Sequence, residues 1–84
     1  MADFVEESAG LVKTIVEPLV DNPADLDVTS FLDDDGAVMV EVRCNEADAG
    51  KVIGRQGRTI KAIRTLTRAA ASRVDAMVEV ELID

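Results

Sequence analysis

The run Lys51-Val52-Ile53-Gly54-Arg55-Gln56-Gly57-Arg58-Thr59-Ile60 places a Gly-x-x-Gly turn, with a cation inside it, between two apolar stretches. A turn of this kind joining two helices exposes backbone N–H groups. The helix that starts after Gly57 adds its own unpaired N–H groups and the positive end of its dipole. Glycine leaves room for a sugar–phosphate backbone that a Cβ would hold off. Arg55 offers a charge-assisted contact and Gln56 a neutral donor. The chemistry on offer is recognition of an anion. Seven of the nine basic residues (Lys51, Arg55, Arg58, Lys61, Arg64, Arg68 and Arg73) fall between positions 51 and 73, with no acidic residue among them. That segment carries +7 and the rest of the chain −15, for a net charge of −8. An acidic protein that gathers its cations around a glycine turn is suited to a polyanion there, and a short length of nucleic-acid backbone fits best.

Other chemistries find little support. The chain has no His and one Cys, which leaves out the usual transition-metal sites and the commonest general acid–base. There is no Gly-Lys-Ser/Thr phosphate loop and no nucleophile–base pair, so no enzyme, catalytic residue, metal or cofactor is expected. Asp33-Asp34-Asp35-Gly36 lacks the spaced ligands and closing Glu of a calcium loop and reads as a turn. Cys44 continues an apolar strand face and reads as a small core residue. Phe4 and Phe31 are the only aromatics and lie outside the basic segment, so bases are expected to rest on aliphatic side chains.

The elements around the turn follow from periodicity. Val5, Ala9, Val12, Ile15, Val16 and Leu19 mark one face of a first helix, which Pro18 ends or kinks. Leu26, Val28, Ser30 and Leu32 alternate with polar positions as a strand. After the Asp35-Gly36 turn, Val38, Val40, Val42 and Cys44 mark a second strand, closing a hairpin. Asn45 caps a short helix from Glu46 to about Ile53, with Asp48 near its positive end. A longer helix runs from about Arg58 to Val74, with Ile60, Ile63, Thr67, Ala70 and Val74 toward the core. Ala76, Val78, Val80 and Leu82 form the last strand. The order is α-β-β-α-α-β, an α+β fold with three helices on one face of a three-stranded sheet. At 84 residues there is room for one core, and no apolar run is long enough to insert into a membrane. The acidic N-terminus lacks a signal-peptide pattern, so a cytoplasmic protein is expected.

Val52-Ile53-Gly54-Arg55-Gln56-Gly57-Arg58-Thr59-Ile60 resembles the signature of the KH domain, and the element order matches its bacterial, type II form. The likeness extends through Ile15-Val16-Glu17-Pro18-Leu19 and Lys61-Ala62-Ile63-Arg64-Thr65-Leu66, so one type II KH domain is expected over residues 1–84. The chain is similar to the small, stand-alone KH proteins of the KhpA (YlqC-like) family. The resemblance implies a clamp for about four nucleotides of single-stranded RNA at Gly54, Arg55, Gln56 and Gly57. Lys51, Arg58, Lys61, Ile53 and Ile60 are placed around it. It also implies an RNA chaperone or post-transcriptional regulator linked to cell elongation, cell shape and peptidoglycan homeostasis in the envelope. Homodimers, and a larger KH-domain partner (KhpB/Jag-like), belong to the same implication.

Two points stay open on the residues alone. Lys61, Arg64 and Arg68 share a helical face that either meets nucleic acid or is simply solvated, while Arg73 complements the helix dipole. Leu66, with Ala62 and Ala69, lies beside the core-facing arc as either a self-association patch or a shoulder of the core. If the patch dominates, the chain is a dimerisation module with incidental RNA contact.

Overall fold

The computed structural model describes residues 2–83. Helix α1 spans Ala2–Val16 and stops where Pro18 enters a single 3-10 turn, Glu17–Leu19. A second such turn, Pro23–Asp25, leads into strand β1, Asp27–Leu32. Strand β2, Val38–Arg43, pairs antiparallel with β1, Ser30 opposite Val40. The hairpin loop is held by Asp33, whose Oδ1 accepts from the N–H groups of Asp35 and Ala37, both at 2.9 Å. Gly36 supplies the one positive φ there, +84°. The acidic triplet is thus a turn stabilised by its own first side chain.

Asn45 opens the next segment as expected, its side chain accepting from Ala47 N–H at 2.8 Å. A 3-10 turn, Glu46–Asp48, precedes the five-residue helix α2, Ala49–Ile53. The glycine turn, Arg55–Gly57, leads into α3, Arg58–Ser72, and strand β3, Val78–Ile83. β3 joins β2 in parallel, Val40 opposite Val80, giving a mixed sheet in the order β1-β2-β3.

The core lies between this sheet and the helices. Val38, Val40 and Val42 of the central strand are fully buried against Val12, Val16, Val52, Ile63 and Val80. Burying each such side chain is worth about 1.5–3 kcal/mol. Arg43, on the opposite pleat of β2, is exposed.

Four details of the expected core differ, the first being Leu32, which lies on the expected apolar face of β1 but is 47% exposed. Phe4, at 6% exposure, belongs to it and seats the start of α1. Leu19 is exposed because α1 has already ended. Val74 is 52% exposed, and Ala71 takes its expected place: α3 stops at Ser72, and Asp75 turns the chain with φ +56°. Cys44 is half-buried against the core, and burial, helped by the nearby Asp48 charge, pushes its thiol pKa up. A thiol so placed is a poor nucleophile.

Candidate nucleic-acid interface

The glycine turn has a backbone few sequences can follow. Gly54 sits at φ +79°, ψ 169°, Gln56 at φ +58° and Gly57 at φ +74°. Three positive φ values in four residues turn the chain sharply between α2 and α3. The turn closes with Gly57 N–H donating to Gly54 O at 3.1 Å. Gly57 is the N-cap of α3 and no side chain caps that helix, while the N–H groups of Gly57 and Arg58 donate back to the carbonyls of Gly54 and Arg55.

The two glycines answer different demands. A Cβ on Gly54 would lie 2.2 Å from Thr59 Oγ1 and 2.8 Å from Thr59 N, so Thr59 packs directly onto its α-carbon. A Cβ on Gly57 would meet nothing within 4 Å. The space that a ligand could approach is therefore over Gly57. Gly54 is required by the protein's own packing, a role for Thr59 that the sequence did not suggest.

Around the turn, Arg55 and Lys61 are exposed and, among the described residues, form no ion pair. Arg58 Nη2 donates to Gln56 Oε1 at 3.1 Å, tying the two side chains together on the surface. Ile53 is 41% exposed beside the turn, whereas Ile60 is only 8% exposed and packs in the core, so Ile53 has the apolar surface to offer.

Two further cations of the basic segment have protein partners. Arg64 Nε donates to the carbonyl of Val80 at 3.1 Å, capping the outer edge of β3. Lys51 Nζ lies 2.9 Å from Asp21 Oδ2 and 3.8 Å from Asp48 Oδ1. Asp48 is not a dipole partner at the surface. It is completely buried and accepts from Asp21 N–H (3.2 Å), Asn22 N–H (3.0 Å) and Asn22 Nδ2 (3.2 Å). Burial pushes its carboxyl pKa up, but those hydrogen bonds and the Lys51 charge outweigh it, so the group sits below the usual carboxylate range. Lys51 is raised above the ordinary lysine value, chiefly by its hydrogen bond and attraction to Asp21. This latch fixes the start of α2, and hence the glycine turn, to the segment that follows α1.

Leu66 is 54% exposed on α3, with Ala62 and Ala69 exposed beside it.

A sequence profile described as "KhpA/KhpB, KH domain" matches residues 9–82. The chain belongs to this KhpA/KhpB KH-domain family. Among KhpA relatives, the protein named "RNA-binding protein KhpA" in Clostridium perfringens is 44% identical over 73 residues, 87% of this chain and 96% of the relative. Its namesake in Caldanaerobacter subterraneus is 45% identical over the same shares. The Listeria monocytogenes protein of that name is 40% identical over 74 residues. The fold also matches Era in complex with MgGDPNP and a segment of 16S ribosomal RNA. There the TM-score is 0.64 at 20% identity, over 89% of this chain and 28% of the Era chain. Aquifex aeolicus Era bound to GDP.AlF4- gives 0.65 at 19% identity, over 93% of this chain and 30% of that one. The expected KH fold is therefore present. None of the described helices is long and apolar enough to cross a membrane.

Proposed function

We propose that this protein binds short single-stranded RNA by clamping it over the Gly54–Gly57 turn, as a cytoplasmic RNA chaperone or post-transcriptional regulator rather than an enzyme. The observation that carries this reading is the open space above Gly57 at the uncapped start of α3, flanked by the unpaired cations Arg55 and Lys61. Relatives named as RNA-binding proteins support it. A backbone phosphate over Gly57 meets the positive end of the α3 dipole, while Arg55 and Lys61 add charge. With about two to four phosphates neutralised, log affinity falls with log salt at a slope of about −1.5 to −3.

The test is fluorescence anisotropy of a labelled ten-nucleotide single-stranded RNA with wild type and with Arg55→Asp/Gln56→Asp. Both positions are exposed, and aspartate tolerates the left-handed backbone at residue 56, so the variant should keep its circular dichroism spectrum. Loss of binding by a folded variant supports the clamp. Equal binding by the two proteins refutes it.

A second reading rests on Leu66, whose exposure beside Ala62 and Ala69 suits close approach of a second helix. Here the chain pairs with itself or with a larger KH-domain partner through α3, and the pairing raises the avidity of a weak single clamp. A link to cell elongation and envelope growth belongs with the first, RNA-binding reading.

A further inference from the structure

The cation that precedes the glycine turn in sequence is already occupied. Lys51 lies on α2 three residues before Gly54, and its Nζ is held by Asp21 Oδ2 at 2.9 Å, a distance typical of a charge-assisted hydrogen bond. The two acids that face Lys51 are unlike. Asp48 is fully buried, has its three hydrogen bonds from residues 21 and 22, and cannot leave. The Asp21 side chain is 73% exposed and makes no other hydrogen bond or ion pair than that with Lys51 among the described residues, while its backbone N–H is fixed to Asp48. The Asp21 carboxylate is thus an exposed anion on a fixed stem, bonded to a cation three residues before the glycine turn.

We infer that Asp21 is an internal competitor for Lys51, its carboxylate occupying the place that an RNA phosphate takes when the site fills. This inference rests on the RNA-binding reading above. Contact with Lys51 then exchanges one anion for another, so that the lysine adds little net affinity. A phosphate that engages Lys51 does so with Asp48 still holding the ammonium group in position from 3.8 Å. An exposed ion pair contributes little, so the competition is graded and easily reversed. Asp21 tunes affinity downward and does not switch binding off.

The experiment is the same anisotropy titration with Asp21→Asn, with Lys51→Gln, with the double variant, and with Glu17→Gln as a charge control. Glu17 is exposed in the turn that precedes Asp21 and, among the described residues, pairs with no cation. Asparagine at position 21 keeps the backbone N–H that Asp48 uses, and circular dichroism checks the fold. Asp21→Asn should bind about twofold to fivefold tighter. Its salt slope should steepen by about 0.7, the increment for one further phosphate on a single strand. Glu17→Gln should give a clearly smaller gain, and Lys51→Gln should abolish the effect of Asp21→Asn. The inference is overturned if Asp21→Asn matches Glu17→Gln, or if its gain persists without Lys51. In either case the clamp stands as long as Arg55→Asp/Gln56→Asp loses binding. If no folded variant binds RNA even at low salt, the RNA reading fails and this inference falls with it.

Discussion

Gly54 and Gly57 look equivalent in the motif, yet replacing them with alanine should have unequal consequences. At Gly54 the backbone (φ +79°, ψ 169°) lies in a region that is essentially glycine-only and costs another residue about 1–3 kcal/mol. The new methyl would also overlap Thr59. The Oγ1 at 2.2 Å can rotate away, but the Thr59 Cβ at 2.6 Å and N at 2.8 Å belong to the first turn of α3 and can yield only if the helix shifts. Overpacking of that kind adds about 1–3 kcal/mol, so Gly54→Ala should cost about 2–6 kcal/mol in all. At Gly57 the backbone is ordinary left-handed helix (φ +74°, ψ 14°) with open space around the new methyl, so Gly57→Ala should cost only about 1–2 kcal/mol. For a domain of this size each kcal/mol moves the midpoint by about 4–8 °C. The chain has no Trp or Tyr, so the assay is urea and thermal unfolding followed by far-ultraviolet circular dichroism. Gly57→Asn should recover most of the loss at that site, since asparagine tolerates the conformation. Equal destabilisation at the two glycines, or a larger loss at Gly57, would refute the assignment of Gly54 to internal packing.

Three other outcomes are expected. Asp48 has its folded-state pKa below the unfolded value, so its stabilisation is fully present above the ordinary carboxylate range and is lost as pH falls through the folded pKa; unfolding of wild type and Asp48→Asn between pH 7 and 2 should show a shallower acid dependence in the variant. Arg64→Ala removes the cap on Val80 O and should cost about 1–2 kcal/mol in urea unfolding, with Arg64→Lys recovering little because the donating Nε is specific to arginine. Leu66→Asp should leave the circular dichroism spectrum intact while native light scattering falls to the monomer mass; an unchanged mass would remove the α3 patch from consideration.

The parts of the fold that the sequence disclosed are those with a local signature. Alternation in Val38, Val40 and Val42 marked the central strand, Pro18 marked the end of α1, and the Gly-x-x-Gly spacing marked the turn. The parts it concealed depend on contacts between distant residues. Asp48 reads locally as a helix-start acid, and only the tertiary fold brings it against Asp21 and Asn22, 27 and 26 positions away. Arg64 reads as one of a solvated row until β3 lies beside α3 and supplies the Val80 carbonyl. Thr59 carries no signal for its contact with Gly54, because that contact exists only once the turn has its three positive φ values. The misplaced end of α3 has a different cause. Val74 continues the apolar period, and the unwinding at Asp75 leaves no mark in that period.

The parallel pairing of β2 with β3 sets when the glycine turn becomes usable. Strands β1 and β2 need only a short hairpin to meet, whereas β3 can reach β2 only after the chain from 44 to 77, turn included, has formed its crossover. Closing that longer loop is the slower and entropically costlier event. Helix α3 is anchored to β3 by Arg64 and to the core by the packing of Ile63 and Ala71, so the turn acquires two fixed ends only when the last strand docks. Ligand binding to the finished turn is then coupled to the stability of the C-terminal strand. RNA should slow amide exchange in β3 as well as in α3, although β3 need not touch the RNA for this to happen.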